Sequence, residues 1–272
     1  MLEIKTVSKG AELVSAKLNG FEKIHDGESF WNRHAPVLFP IVGKLKDGKT
    51  QIDGKEYQMG QHGFARDMEF EKIGINEYIL KWNEETLEKF PFKFEFYISY
   101  EVKNDEIITK YRIVNKDDKK MFFGLGGHPA FKCEYCSGKY FLEFEEIEHN
   151  IKIYQLEEGL VKEAPEKTNR FIKENKIFLD KDIFKNDAII LKNLESRKVY
   201  LKTESKTILT MYFKDFPYLG IWSKEDAPFI CIEPWLNTAD KVNSNGIFEE
   251  KEDIIEIKPN EELKTEYTVK FF

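Results

Sequence analysis

The sequence predicts an all-β protein, a large antiparallel β-sandwich, from three observations. The dominant apolar period is two, as in a strand with one buried face, and residues 92–102 show it best. Turn-forming pairs such as Asp47-Gly48 and Asn104-Asp105 separate the apolar runs. No ten-residue stretch has the 3.6-residue period of a helix. Many strands joined by turns indicate a sandwich or a barrel, and this number in one domain favours stacked sheets.

The strands follow from alternation and from turn signals along the chain. Asp53-Gly54 predicts a short hairpin, because glycine tolerates a positive φ. Residues 92–102 predict the longest strand, and residues 107–114 predict the strand that returns beside it. Further β-rich runs predict strands at 68–74, 77–82, 140–144, 151–154, 188–191, 199–203, 207–213, 218–222, 229–232, 253–257 and 266–271.

Helical signals are few and short. Residues 84–90 predict a helix of two turns, and residues 237–242 predict a single turn. The polar stretch 157–175 carries the weakest pattern and is interpreted as a long loop. Because no repeat, low-complexity linker or composition shift divides the chain, residues 1–272 are predicted to form a single domain.

Composition excludes several classes of protein. Hydrophobic residues make up 41% of the chain, with 23 Phe and 12 Tyr, which is enough for a large core and argues against disorder. The net charge of −7 argues against a nucleic-acid partner, because neutralising phosphates needs clustered Lys and Arg. It leaves room for a local basic pocket that binds a small anion.

The location expected from the sequence is the cytoplasm. The start of the chain lacks the apolar region of a secretory signal, and no apolar run is long enough to span a membrane, so no membrane partner is expected. Three cysteines do not make a disulfide framework. Cys133 and Cys136 have the spacing of a redox or zinc motif, but no second pair completes it, and ordinary reduced thiols are expected.

Three short motifs are candidates for acid/base chemistry. Glu233 follows an apolar strand and precedes Pro234, which is expected to end strand pairing, and Trp235; the alternative is a structural carboxylate bonded to a turn. His128 lies between a glycine run and Pro129, and the alternative is a core histidine. A base, an acid and a third polar group suffice for metal-free proton transfer.

The third motif contains His62, which lies between Gly60 and Gly63. Arg66 follows, and Asp67 is placed to hold it in a bidentate pair; the alternative is a turn with a surface ion pair. His25, His34 and His149 lack such surroundings. No two histidines have the close spacing of a zinc site, so a metal is disfavoured. Dinucleotide, P-loop and serine-nucleophile motifs are absent from the sequence, and no cofactor is expected.

Together these motifs resemble the aldose 1-epimerase (galactose mutarotase) superfamily, and in particular its LacX-like branch. The matching segments, in order, are 38–48 (LFPIVGKLKDG), 61–66 (QHGFAR), 127–131 (GHPAF), 218–223 (YLGIWS) and 232–235 (IEPW). The resemblance covers nearly the whole chain and is weakest at 157–175. It implies a galactose mutarotase-like supersandwich that binds a sugar on a concave sheet face.

The resemblance also implies roles for the three motifs. Glu233 matches the general base that takes the proton of the anomeric hydroxyl, and His128 matches the general acid that protonates the ring oxygen. His62 matches a second histidine that hydrogen-bonds the sugar near that oxygen. Ring opening, rotation about C1–C2 and reclosure then exchange the two anomers. The activity implied is that of a cofactor-free isomerase.

Four further residues are expected to contact the sugar. Lys44 stands where relatives commonly have a sugar-binding arginine, and Asp187 corresponds to a sugar-binding aspartate of the family. Independently of the resemblance, the ring of Trp235 is suited to stacking on a sugar face. Arg66, with Lys44 and Lys46, is a candidate for binding a phosphate group.

Three functions are therefore open. The first is mutarotation of a free hexose, the second is epimerisation of a hexose 6-phosphate, and the third is a non-catalytic carbohydrate-binding protein on the same scaffold. Retention of both histidines and the glutamate argues against the third, since binding alone needs no matched acid and base. The expected partner is a small sugar. Exposed edge strands allow pairing between chains, so the chain is expected to be a monomer or a weak homodimer.

Overall fold

The structure is a computed structural model that describes residues 1–166 and 171–272. These residues form 26 strands and one α-helix, α1 (Glu84–Lys89). The strands of the first half are β1 (Leu2–Thr6), β2 (Leu13–Leu18), β3 (Phe21–Glu22), β4 (Val37–Leu38), β5 (Lys49–Ile52), β6 (Lys55–Gln58), β7 (Glu71–Gly74), β8 (Glu77–Lys81), β9 (Phe94–Lys103), β10 (Glu106–Asn115), β11 (Met121–Phe123), β12 (Gly126–Gly127) and β13 (Ala130–Lys132).

The second half of the chain is also made of strands. They are β14 (Tyr140–Phe144), β15 (Lys152–Tyr154), β16 (Leu156–Glu157), β17 (Leu160–Val161), β18 (Ile172–Lys173), β19 (Lys176–Phe178), β20 (Ile189–Lys192), β21 (Lys198–Thr203), β22 (Thr207–Tyr212), β23 (Tyr218–Trp222), β24 (Phe229–Trp235), β25 (Ile255–Ile257) and β26 (Glu262–Phe271). Short 3₁₀ turns occupy Lys46–Gly48, Ala65–Asp67, Tyr135–Ser137 and Phe248–Glu250.

Two large antiparallel sheets dominate the fold. One has ten strands in the order β18-β19-β14-β21-β22-β26-β10-β9-β8-β7. The other has seven strands in the order β15-β20-β23-β24-β12-β4, with β13 also paired to β24. The hairpins predicted around Asp53-Gly54 and Asn104-Asp105 are confirmed as β5–β6 and β9–β10. The prediction of a large antiparallel β-sandwich is confirmed.

The core lies between the inner faces of the two sheets. Phe96 of β9 and Ile113 of β10 belong to the same buried cluster as Ile221 of β23 and Ile232 of β24. Along β9 the burial alternates as the sequence predicts, because the other face of the ten-stranded sheet is not covered. The same cluster reaches from Leu2 near one end of the chain to Phe271 near the other.

The seven-stranded sheet is covered on both faces. Every residue of β24 is buried, which is why its apolar run shows no alternation in the sequence. Its Ile230 and Ile232 face the core. Cys231, Glu233 and Trp235 occupy the alternate positions and face the other side, where loops and small apolar clusters lie over the sheet. This outer face carries the candidate site.

Two local predictions near the end of β24 are wrong. The strand expected to end before Pro234 continues to Trp235. Pro234 pairs with Leu219 on one side, while on the other side β24 passes from β13 to β12, so no ladder hydrogen bond is lost there. The helical turn expected at 237–242 is also absent. Its backbone bonds neighbouring loops instead, as when the Asp240 N–H donates to the Lys44 carbonyl at 2.9 Å.

Other regions were under-predicted. The N-terminal strands β1–β3 had no prediction, although they form a sheet of their own. Part of the stretch interpreted as a loop contains β16, β17 and β18, and residues 167–170 of it lie outside the described residues. Among the described residues, no helix is long and apolar enough to cross a membrane.

Candidate active site

A cleft of about 470 Å³ opens on the outer face of the seven-stranded sheet. Six residues singled out by the sequence line it: His62, Arg66, His128, Asp187, Glu233 and Trp235. Lys44 is not among the lining residues, because its Nζ donates to the Glu158 carbonyl at 3.0 Å, next to Gly159 on the rim. The structure therefore brings together groups that are up to 173 positions apart in the chain.

Glu233 projects from β24 into the floor of this cleft. Only 1% of its surface is exposed, and its Oε2 has no hydrogen-bond partner among the described residues. Burial raises the pKa of the carboxyl well above its usual range, the Trp235 indole N–H opposes that rise, and the charge of Asp187 adds to it. A carboxyl of this kind is a strong proton acceptor once it is ionised.

His128 lies in the loop between β12 and β13, directly against Glu233. Its Nε2 is 3.2 Å from Glu233 Oε2. The ring packs against Trp31, with centroids 4.9 Å apart, and meets the edge of Trp222 at 5.8 Å. Burial, and then the positive charge of Arg66, lowers the pKa of His128 to about 3. The imidazole and the carboxyl are thus held side by side, and both side chains are buried.

His62 is held by its backbone and by Gly43. Its φ of 67° is unusual for a residue other than glycine, and its N–H donates to the Gly43 carbonyl at 2.7 Å. In return, the Gly43 N–H donates to His62 Nδ1 at 3.0 Å. The neutral ring therefore carries its proton on Nε2, which is free to donate. Burial, and next the charge of His128, lowers the pKa of His62 well below its usual range, so the ring stays neutral.

Two arginines stand beside the histidines. Arg66 Nη2 donates to the Gln61 carbonyl at 2.7 Å, and its Nε is buried without a hydrogen-bond partner among the described residues. The bidentate pair expected between Arg66 and Asp67 is not formed: Asp67 accepts from Arg33 at 2.9 Å and lies 3.7 Å from Arg66 Nε. Burial, and next the charge of Arg33, lowers the pKa of Arg66 to about 10.

Trp235 forms part of the floor, in a seat made by two glycines of neighbouring strands. A Cβ on Gly220 would lie 2.5 Å from Trp235 Cζ2, and one on Gly126 would lie 2.6 Å from its Cδ1. The ring is only 4% exposed. Its Nε1–H is near enough to Glu233 to lower the pKa of that carboxyl, but it makes no hydrogen bond of ordinary geometry with any described residue. Asp187, which has a φ of 72°, stands at the wall before β20. Its Oδ1 accepts the Ala188 N–H at 2.8 Å.

Comparison with known proteins identifies the family. Residues 1–252 match the model of the family described as aldose 1-epimerase. The chain belongs to the aldose 1-epimerase family. Two LacX proteins of Lactococcus lactis subsp. lactis, one described as plasmid and one as chromosomal, are each 31% identical to this family member over 287 residues. The alignment covers 98% of this chain and 96% of each LacX protein.

Solved structures show the same fold as this aldose 1-epimerase family member. A galactose mutarotase related enzyme from Lactobacillus acidophilus has a TM-score of 0.88 and 32% identity, covering 100% of this chain and 95% of that one. A galactose mutarotase-like protein from Lactobacillus casei ATCC 334 has a TM-score of 0.90 and 29% identity, covering 100% and 97%. These likenesses support a carbohydrate epimerase or mutarotase function.

Sequence reasoning missed several residues of the aldose 1-epimerase cleft. Trp31, Arg33, Trp222 and Lys224 all line it. Trp222 is the last residue of a predicted strand and lies in the family segment 218–223, but no role was assigned to it. Trp31 and Arg33 lie in a segment without regular structure. Only their proximity to His128 and Arg66 in space reveals them.

A larger cavity of about 640 Å³ lies on the outer face of the ten-stranded sheet. Residues such as Tyr97 and Arg112, which alternate with core residues along β9 and β10, line it. None of the sequence-selected residues reaches it, and no histidine does. The buried imidazole and the buried carboxyl that the sequence selected therefore meet in the smaller cleft.

Proposed function

We propose that this protein interconverts the α and β anomers of an aldose by general acid/base catalysis without a cofactor. The observation that carries the proposal is the pair of His128 Nε2 and Glu233 Oε2, 3.2 Å apart on the floor of a cleft. The two oxygens that exchange protons in mutarotation are bonded to one carbon, so the base and the acid must act side by side. The buried pair meets that requirement.

In the proposed reaction Glu233 takes the proton from the anomeric hydroxyl and His128 gives a proton to the ring oxygen. The bond between C1 and the ring oxygen breaks as the C1–O1 carbonyl forms. Rotation about C1–C2 exposes the other face of the carbonyl. On ring closure the C5 hydroxyl oxygen attacks C1 and gives its proton to His128, while Glu233 returns its proton to O1. The protein thus ends in its starting state.

The number of protons that His128 and Glu233 hold together is the number that the proposed reaction needs. Burial favours the uncharged forms, because it raises the pKa of Glu233 and lowers that of His128. An uncharged carboxyl beside a neutral imidazole holds as many protons as a carboxylate beside an imidazolium. One proton shift over 3.2 Å therefore produces the required base and acid. The hydroxyl groups of a bound sugar would stabilise that charged pair by hydrogen bonding.

The other residues of the cleft would orient the sugar. His62 presents Nε2–H as a donor, since its Nδ1 is occupied by Gly43, and its ring centroid lies 5.5 Å from that of His128. That position lets it bond the ring oxygen or a neighbouring hydroxyl. The unpartnered Trp235 Nε1–H and the Asp187 carboxylate offer a donor and an acceptor to further hydroxyl groups.

The test is the rate at which pure α-anomers reach equilibrium. NMR or polarimetry of α-glucose and α-galactose, with and without protein, should show concentration-dependent acceleration over buffer. Acceleration in neither sugar, nor in a phosphorylated one, would overturn the proposal. Binding without acceleration would instead support the third hypothesis, a non-catalytic carbohydrate-binding protein.

A second candidate, a hexose 6-phosphate, is favoured by Arg33 and Arg66. Both guanidinium groups lower the pKa of His128, so both lie near it. The ring oxygen that His128 would protonate is bonded to C5, which carries the C6 phosphate arm. A 6-phosphate would therefore extend from the His128 side of the cleft, where Asp67 is the carboxylate that both arginines share. Lys44 and Lys46 bond backbone carbonyls of Glu158 and Ser244 instead.

Substrate comparison separates the two candidates. If the phosphate is recognised, glucose 6-phosphate should be preferred over glucose, and Arg33→Gln should lower kcat/KM for the phosphate alone. Loss of a hydrogen bond to a charged group costs about 1.5–3 kcal/mol, or roughly 10–150-fold in rate. Equal losses for both sugars would contradict a phosphate role for Arg33 and leave the free hexose as substrate.

A further inference from the structure

Beneath the floor of the cleft lies a third group that the proposed reaction does not use. Cys231 precedes Glu233 by two positions on β24, so both side chains lie on the same face of the strand. Its thiol is fully buried beside Ala130 and Phe229, beneath the indole rings of Trp31 and Trp222. None of the three cysteines lines the cleft, but the Cys231 Sγ lies within 4.8 Å of donor atoms of His128 and Glu233, which do.

The donor atoms of His128, Cys231 and Glu233 form a compact group. All three lie within 4.8 Å of one another, and His128 Nε2 is 3.2 Å from Glu233 Oε2. In a tetrahedral zinc site, bonds of about 2.0–2.3 Å place neighbouring donor atoms roughly 3.3–3.7 Å apart. The three atoms thus need to move by no more than about 1 Å to share one ion.

The same atoms are available for coordination. Glu233 Oε2 is buried without a hydrogen-bond partner among the described residues, and Glu233 is 1% exposed. His128 Nε2 faces that oxygen rather than a backbone group. A nitrogen, a sulfur and an oxygen donor, with the open cleft on the fourth side, match the coordination that zinc takes where one position is left to water.

We propose that His128, Cys231 and Glu233 form a binding site for a thiophilic divalent cation, and that an ion held there blocks the cleft. The cation is of the zinc class, because the thiolate selects soft or borderline metals over magnesium and calcium. The ion acts as an inhibitor, since it takes the lone pair of His128 Nε2 and the carboxylate of Glu233. Both are the groups to which the proposed function assigns proton transfer.

The charges balance in the bound state. Coordination releases the thiol proton of Cys231 and, where it is present, the proton of Glu233 to the solvent. One thiolate and one carboxylate then neutralise a dication, while the imidazole binds as the neutral ring. The positive charges of Arg33 and Arg66 oppose entry of the cation.

Binding is tested first by a readout that does not depend on catalysis. Cobalt(II) added to metal-free protein should produce the near-ultraviolet absorption of thiolate-to-cobalt charge transfer, and zinc should bleach it. Cys231→Ser, which keeps nearly the same volume, should abolish the band, and Cys231→Ala serves if the serine variant does not fold. Cys133→Ser, another buried thiol lost, is the matched control and should retain it.

Inhibition is tested second, and it alone rests on the proposed function. Zinc or cadmium should inhibit anomer interconversion competitively with sugar, whereas magnesium and calcium should not. Cys231→Ser should keep the basal rate of the wild type. Its zinc concentration for half-inhibition should rise by roughly 10–100-fold or more, since losing even a supporting partner of a metal site costs that much affinity. A cobalt band that persists in both Cys231 variants, or equal zinc sensitivity in wild type and Cys231→Ser, would overturn the proposal.

Discussion

Burial governs the protonation of the two central groups of the cleft. Glu233 and His128 are 1% and 6% exposed, so each pays to carry a charge and each favours its neutral form. Their contact at 3.2 Å would let one proton pass between them, as the proposed reaction requires. His62 differs, because a backbone N–H occupies its Nδ1 and fixes it as a donor. The proposed function accordingly gives three residues of similar burial three different roles.

Replacing Glu233 should remove the base without removing the cleft. Glu233→Gln keeps the size and polarity of the side chain but cannot accept a proton. We expect kcat to fall by about 10²–10⁴-fold, the usual contribution of a positioned acid or base, while sugar binding changes little. NMR exchange rates and titration calorimetry measure the two effects. Glu88→Gln, on the exposed side of α1, is the control and should keep full activity.

The same substitution should stabilise the protein in a pH-dependent way. Because burial raises the pKa of Glu233 in the folded state, its protonation supports folding at pH values below the unfolded carboxyl pKa of about 4.3. That support is lost as the pH rises toward the folded pKa. At neutral pH, Glu233→Gln should therefore unfold at a higher temperature than wild type. This difference in Tm should shrink as the pH falls toward about 4. Thermal unfolding at a series of pH values measures this difference, and the control Glu88→Gln should have the Tm of wild type at each pH. A difference in Tm between Glu233→Gln and wild type that does not change with pH would contradict the raised pKa of Glu233.

The strands next to β24 shape the cleft because they have glycines, without side chains, beside Trp235. Gly126 of β12 and Gly220 of β23 leave room for the Trp235 ring to lie flat on the sheet. In the fold they make space for a neighbouring side chain, which in turn carries an N–H toward Glu233.

A side chain in place of Gly220 should displace the Trp235 ring from the floor of the cleft. Gly220→Ala would place a Cβ 2.5 Å from Trp235 Cζ2, so the indole must shift. Overpacking of this kind costs about 1–3 kcal/mol of folding free energy, and the displaced ring should also lower kcat/KM. Denaturant unfolding and the anomer assay measure both. Gly60→Ala is a suitable control, because no atom lies within 4 Å of its added Cβ and its φ is not positive. Equal stability of the two variants would contradict the glycine seat.

The inner and outer faces of the two sheets serve different purposes. Their inner faces supply one continuous apolar core, while the outer face of the seven-stranded sheet carries buried polar groups. Residues of the cleft come from several strands and from loops such as the one that contains Trp31 and Arg33. A bound sugar would therefore join elements that are distant in the sequence.

Ligand binding should accordingly raise the stability of the whole fold. A sugar that binds only the native state adds about 2.7 kcal/mol at a concentration 100 times its Kd. We expect a concentration-dependent rise in Tm with the preferred sugar, in wild type and in Glu233→Gln alike. Mannitol, an open-chain polyol without an anomeric centre, is the control. Equal shifts with mannitol and the sugar would indicate a general solvent effect rather than occupation of the cleft.

The strand pattern of this protein is a local property, and so the sequence predicted it well where one face of a strand meets solvent. The alternation along β9 and the Asp-Gly turn between β5 and β6 are of this kind. The pattern failed where tertiary contacts outweigh local preference. Pro234 lies inside β24 because the pairing changes partner beside it, and residues 237–242 give their hydrogen bonds to loops.

For the site, the sequence by itself determined which residue types are available and marked His62, His128 and Glu233 by their glycine, proline and aromatic neighbours. Only the tertiary structure decided that Oε2 and Nε2 lie 3.2 Å apart, that Lys44 turns to the rim, and that Trp31 and Cys231 enclose the pair. Distances between groups far apart in the chain depend on sheet packing, and burial, which sets their proton affinities, exists only after that packing has formed.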